Sequence, residues 1–218
     1  MERKRMSDDL HTYKITHSLL YAWKRMLSDD ATEEHIAQFM NMLNGIETPR
    51  TAAMQEGLDF EAEVYKAAKY IGAGLEYLLQ PEDVRQVAAE EFGNIINGGI
   101  WQLKVSKQKT IDGLDFMLVG VFDAVKCGTI YDIKRVFKYE YGRFYDFTQH
   151  PMYFELLPDA ESFTYLIFDG YDTHYETYSA EDTASIDTTI SEFIRWLREQ
   201  KLLDVYKDNW NLTKFTKK

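Results

Sequence analysis

Residues 119–136 read VGVFDAVKCGTIYDIKRV, and this stretch decides the fold. Two apolar runs meet at Cys127-Gly128, where glycine supplies the positive φ that a tight two-residue hairpin turn requires. A turn centred on that pair sets Asp123 directly opposite Asp132. Opposed side chains share one face, with Cβ atoms roughly 4.5–5.5 Å apart. Lys134 lies two residues past Asp132 and projects to the same face. Tyr131 and Ile133 cover the other face, while Ile130 and Val136 flank the acids. A strand apolar on both faces is an inner strand, and charges inside it need partners. Lys134 offsets one carboxylate. A divalent cation offsets two, and carboxylate oxygens suit Mg²⁺ or Mn²⁺. The lysine then polarises an attacking water or stabilises charge developing on a phosphate. The same residues also suit a structural Asp–Lys ion pair near the end of a sheet, with Asp123 reaching solvent.

Outward from the hairpin, residues 100–111 alternate polar and apolar and read as a strand, as do 115–126 and 129–136. DFTQHPMYFELL (146–157) reads as helix, SFTYLIFD (162–169) as strand and HYETYS (174–179) as an edge strand. Upstream, 10–27 has helical spacing at Leu19, Leu20, Trp23 and Leu27, and 31–43 forms a second helix. The longest periodic stretch, 50–79, places Phe60, Val64, Ala67, Ala68, Ile71, Leu75 and Leu78 on one side, with Gly72 and Gly74 as interruptions. Ser179 is a candidate N-cap for a last helix over 180–200, with Glu181 and Asp182 in its first turn. The order predicts an α/β or α+β fold, a central mixed sheet flanked by helices. One domain over 1–218 is expected, with a helical region at about 10–80 and C-terminal helices at about 180–212.

The 218 residues are 45% hydrophobic and 28% charged, which is a globular composition. No apolar run approaches the roughly 20 residues of a membrane span, and MERKRMSDDL lacks the apolar core of a signal peptide. The expectations are therefore no membrane association and a cytoplasmic location. The single cysteine, Cys127, excludes an intrachain disulfide framework and a four-cysteine metal site. Net charge is −11, against a generally basic, phosphate-coating protein. Local basic groups remain: Lys104, Lys107 and Lys109, then Lys134, Arg135 and Lys138, then Lys217 and Lys218.

The hairpin also carries a resemblance. GVFDAV followed by YDIKRV resembles the G-x-x-D and (D/E)-x-K core of the PD-(D/E)XK nucleases, nearest their RecB-like and lambda-type phage exonuclease branch. EGLDFEAEVY resembles the upstream helix motif, in which Gly57 precedes an acid, Glu61, by four residues. QHPMY resembles the Q-x-x-x-Y motif through Gln149 and Tyr153. THSLLYAWKRML (16–27) is similar to the Ser-Leu-containing opening helix. The resemblance implies a restriction-endonuclease-like core and a Mg²⁺- or Mn²⁺-dependent phosphodiesterase acting on DNA, an exonuclease of phage recombination or DNA-processing type. Asp123, Asp132 and the Ile133 backbone carbonyl would hold the metal, with Glu61 as a further ligand. Lys134 would activate water, while Gln149, Tyr153 and Arg135 would position the site or touch DNA. Glu61 stands where many RecB-like members have His, and the cysteines of iron–sulfur relatives are missing, so no such cluster is expected.

Some residues keep other readings. Glu63 rivals Glu61, although two residues apart on a helix they cannot face one metal equally. Tyr153 suits core packing. KYEYGRFYDF (138–147) reads as packing or as a loop that stacks on unpaired bases. A structure- or site-specific endonuclease, or a non-catalytic binding module on the same core, are the rival functions. A ring-shaped homo-oligomer would gather scattered basic residues around DNA. A single-strand annealing or recombination protein would be a fitting partner, in a host bacterial cytoplasm if the chain is phage-encoded.

Overall fold

The computed structural model describes residues 11–75 and 83–212. In chain order they form β1 (Thr12–Ile15), α1 (His17–Met26), α2 (Glu33–Leu43), α3 (Ala52–Gly72), α4 (Val84–Ile96), β2 (Ile100–Ile111), β3 (Leu114–Lys126), β4 (Thr129–Arg135), α5 (Gln149–Leu156), β5 (Ser162–Phe168), β6 (Thr173–Ser179), α6 (Ile186–Glu199) and α7 (Leu203–Asn209). The fold is α+β, a mixed six-stranded sheet flanked by helices. Strand order is β1-β3-β4-β5-β6, with β2 also paired to β3. β4 runs antiparallel to β3 and parallel to β5, so it is an inner strand. β6 closes the far edge, antiparallel to β5.

The chain divides into two compact units. One comprises Met1–Glu47, Ser106–Gly120 and Ser185–Lys218. Its core is aromatic: Trp23 meets the Phe193 ring edge-on at 5.4 Å, and Phe39 meets Trp196 at 5.5 Å. The Tyr206 hydroxyl donates to the Lys14 carbonyl at 2.9 Å. The other comprises Thr48–Val105 and Val121–Ala184. There α3 and α4 bury Phe60, Val64, Ala88, Ala89 and Phe92 together with Ala124, Ile133, Leu166 and Phe168 of the sheet. Gly93 permits that packing: a Cβ on it would lie 2.9 Å from Ala67 Cβ and from the Ala68 amide nitrogen.

Three segments differ from the sequence reading. The stretch 10–27 is not one helix. Thr12–Ile15 alternates half-buried and buried side chains and pairs in parallel with Asp115–Leu118. Thr16 then caps α1 by accepting the Leu19 N–H. The last long helix starts at Ile186 with Ser185 as N-cap. Ser179 instead ends β6, and its Oγ accepts the Asp182 N–H in a local turn that does not propagate. Finally, α4 has no counterpart in the reading, because three of its five buried residues are the small Ala88, Ala89 and Gly93, a weak periodic signal. The long periodic stretch does hold as α3, ending at Gly72 with Gly74 at φ +68°. Leu75 is 57% exposed beyond that end. Leu78, Lys217 and Lys218 lie outside the described residues.

Candidate active site

Cys127 and Gly128 have φ of +48° and +78°, the two positive angles of a type I′ hairpin turn. Pairing then runs Lys126↔Thr129, Val125↔Ile130 and Ala124↔Tyr131. Past that point β4 stays paired to β5 through Arg135, but its pairing to β3 ends. Asp123 and Asp132 occupy the first position after the ladder stops. Asp123 reaches across, and its Oδ2 accepts the Ile133 N–H at 2.8 Å. A residue's N–H and C=O share one strand edge, so the Ile133 carbonyl also faces β3.

α3 brings Glu61 to this break. Its Oε1 accepts Gln102 Nε2 at 2.7 Å. Tyr65, one turn further along α3, donates to the Asp123 carbonyl at 3.0 Å and accepts from Gln102 at 2.7 Å. Glu63 points elsewhere, to Arg85 Nε at 2.8 Å. Of the two rival acids, therefore, only Glu61 joins the cluster.

The other named residues separate into those at the cluster and those beside it. Lys134 Nζ lies 2.6 Å from Asp132 Oδ2, a close ion pair with a buried carboxylate. Gln149 is the first residue of α5, with Pro151 inside the first turn. Its amide donates to Asp132 Oδ1. Tyr153, one turn on, is buried, and its hydroxyl donates to the Val121 carbonyl at 2.8 Å. It supports β3 from within and offers no surface to a ligand. Arg135 projects away from Lys134, its Nε 3.4 Å from Glu56 and its guanidinium 5.2 Å over the Phe168 ring. It is engaged internally.

Three carboxylates thus face one ammonium. Burial lifts the Asp123 carboxyl well above the usual carboxylate range, and the charges of Asp132 and Glu61 add to it. Burial, then Asp132, raises Glu61 against the opposing influence of the neighbouring Tyr65 hydroxyl and the charge of Lys134. Burial works to lower the Lys134 ammonium, but Asp132 and Asp123 outweigh it and the net shift is upward. The lysine is charged, and the cluster still carries an excess of negative charge or holds a proton in its place.

Among the described residues, no group of three or more His, Cys, Asp or Glu side chains is arranged to hold a metal ion. Mg²⁺ does not require one. It is commonly held by one or two carboxylates, keeping several waters. Asp123, Asp132 and the Ile133 carbonyl offer that donor set, and two crowded carboxylates beside one ammonium fit a hard cation. Glu61 would join through water.

Gln102, Tyr65 and Tyr165 are site residues that the sequence reading did not name. Tyr65 was findable, since i and i+4 share a helix face. Gln102 sits at φ +50°, a local distortion of β2 with no sequence marker. Tyr165 is opposite Asp132 in the parallel register, and its ring lies 5.8 Å from Lys134 Nζ. Burial is the largest cause raising the phenols of Tyr65, Tyr153 and Tyr165, so all three stay protonated.

No family model matches the chain, and no curated protein matches it. Among solved structures it is similar to one titled "Crystal structure of SSO0001", at 12% identity and a TM-score of 0.49, over 88% of this chain and 77% of that one. No helix among the described residues is long and apolar enough to cross a membrane.

Proposed function

We propose that this chain is a divalent-cation-dependent deoxyribonuclease of PD-(D/E)XK type that hydrolyses DNA phosphodiester bonds, working as an exonuclease. One observation carries the reading: Asp123, Asp132 and Lys134 converge where β3 and β4 part, leaving a surplus of carboxylate over ammonium. A bound Mg²⁺ would supply Lewis-acid stabilisation of charge developing on the phosphate. Asp123 and Asp132 would hold it, and Gln149 fixes the Asp132 carboxylate through Oδ1. Lys134, charged and 27% exposed in its side chain, orients the attacking water and stabilises the phosphate oxygens. Glu61, kept in place by Gln102, accepts a hydrogen bond from a water of the site.

The test is cleavage of end-labelled linear DNA beside closed circular DNA, with Mg²⁺, Mn²⁺ or EDTA. Linear DNA should be degraded with metal and spared in EDTA, and Lys134→Ala should abolish turnover. Cleavage of circles would move the reading to an endonuclease. A Lys134→Ala chain as active as wild type would refute the mechanism.

A further inference from the structure

After β4 the chain enters a loop with three strongly exposed rings: Phe137 at 78%, Tyr141 at 90% and Tyr145 at 71%. Single exposed aromatics need no explanation, but a cluster within nine residues marks an interaction surface. These rings are not exposed through a loose backbone. Glu176, buried on β6, accepts the Gly142 N–H at 2.9 Å, the Phe144 N–H at 3.4 Å and the Tyr178 hydroxyl at 2.5 Å. Phe144 is buried and stacks on Tyr165 at 4.5 Å and 22°. Tyr141, Tyr145, Tyr175 and Tyr178 line a cleft of about 340 Å³, within the size range of ligand clefts.

We infer that this loop is a base-stacking platform for single-stranded nucleic acid, feeding the strand to the carboxylate–lysine cluster; the inference rests on the nuclease reading above. Ring faces bind unpaired bases without regard to sequence, whereas a duplex hides its base faces. The loop also carries cations for the backbone. Lys138 is 81% exposed in its side chain and pairs with the exposed Glu140, and Arg143 lies 5.9 Å over the Phe144 ring. The platform adjoins the cluster through one residue: Tyr165 stacks on Phe144 and also faces Lys134 Nζ at 5.8 Å. A proline-rich peptide also docks on aromatic grooves, but it has no use for the cations or for that adjacency.

The experiment uses the full chain carrying Lys134→Ala, so that probes survive. Binding of fluorescein-labelled oligothymidylate and of a duplex of equal length is read by fluorescence anisotropy. Tyr141→Ala and Tyr145→Ala should each weaken single-strand binding at least about fivefold, leaving duplex binding and melting temperature unchanged. Tyr141→Phe and Tyr145→Phe should bind as the background chain does. Alanine variants with undiminished single-strand binding overturn the platform. So do phenylalanine variants as weak as alanine, or a chain that binds a proline-rich peptide and not oligothymidylate. The two proposals fail separately. Alanine-sensitive binding in a protein that never cleaves DNA leaves the platform and removes the nuclease; metal-dependent cleavage with alanine-insensitive binding does the reverse.

Discussion

Asp123 takes the Ile133 N–H into its own carboxylate at 2.8 Å, at the place where an antiparallel ladder would offer a backbone carbonyl. The side chain substitutes for the missing ladder bond, so the break between β3 and β4 leaves no orphaned amide there. It also fixes a carboxylate beside Asp132.

That crowding sets a pH dependence. The folded carboxyl of Asp123 is raised, so its contribution to stability is fully present below the unfolded value of about 3.9. It is lost as pH rises through the higher folded value. In metal-free buffer, Asp123→Asn keeps an acceptor for Ile133 and removes the charge. Its melting temperature should exceed that of wild type at neutral pH, by about 2–4 °C for each kcal/mol relieved. The gap should close toward pH 4. Melting curves across that range decide it, and a gap constant with pH contradicts the account.

Metal should reverse the order. At a hundredfold excess over Kd, a cation binding only the folded state stabilises by about 2.7 kcal/mol. For a chain of this size that is roughly 5–11 °C. Wild type should show this shift with Mg²⁺, and Asp123→Asn and Asp132→Asn should lose most of it. Thermal shift of EDTA-stripped protein, with and without Mg²⁺, reads the effect. Equal shifts in all three chains would place the cation elsewhere.

Asp132 is buried while Lys134 is partly exposed. Lys134→Met should destabilise by about 1–3 kcal/mol, because the carboxylate loses its paired cation. Adding Asp132→Asn should restore part of that loss, giving a coupling of about 0.5–3 kcal/mol in urea unfolding. Strict additivity would mean that the pair is not coupled.

Glu61 and Glu63 should behave differently. Glu61→Gln is expected to cut metal-dependent cleavage at least about tenfold without lowering the urea midpoint. Glu63→Gln loses its ion pair with Arg85, costs about 0.2–1 kcal/mol and leaves turnover intact. Single-turnover cleavage and urea unfolding of both chains separate the roles.

Gly93→Ala tests the packing of α4 on α3. The new methyl would press on Ala67 Cβ and on the Ala68 backbone, which cannot rotate away. The expected loss is about 1–3 kcal/mol, read as a lower urea midpoint. An unchanged midpoint would show that the two helices separate freely.

Much of the centre of this protein is written locally. A glycine after Cys127 fixes a two-residue turn, the turn fixes a register, and the register brings Asp123 and Asp132 to the end of the β3–β4 ladder with Lys134 alongside. The alternation of β2, β3 and β4 and the long period of α3 are local for the same reason: side-chain spacing follows backbone geometry. What remained hidden depends on distant contacts. β1 is short, and only its pairing with β3 distinguishes it from the start of α1. α4 owes its place to Gly93 meeting α3. Ser179 and Ser185 are both capable caps, and only the helix actually packed in the core, α6, chooses between them. The choice of Glu61 over Glu63 turns on Arg85, 22 residues past Glu63, and the hold on Glu61 comes from Gln102, 41 residues away. Sequence spacing tells which residues share a face; only the folded chain decides what that face meets.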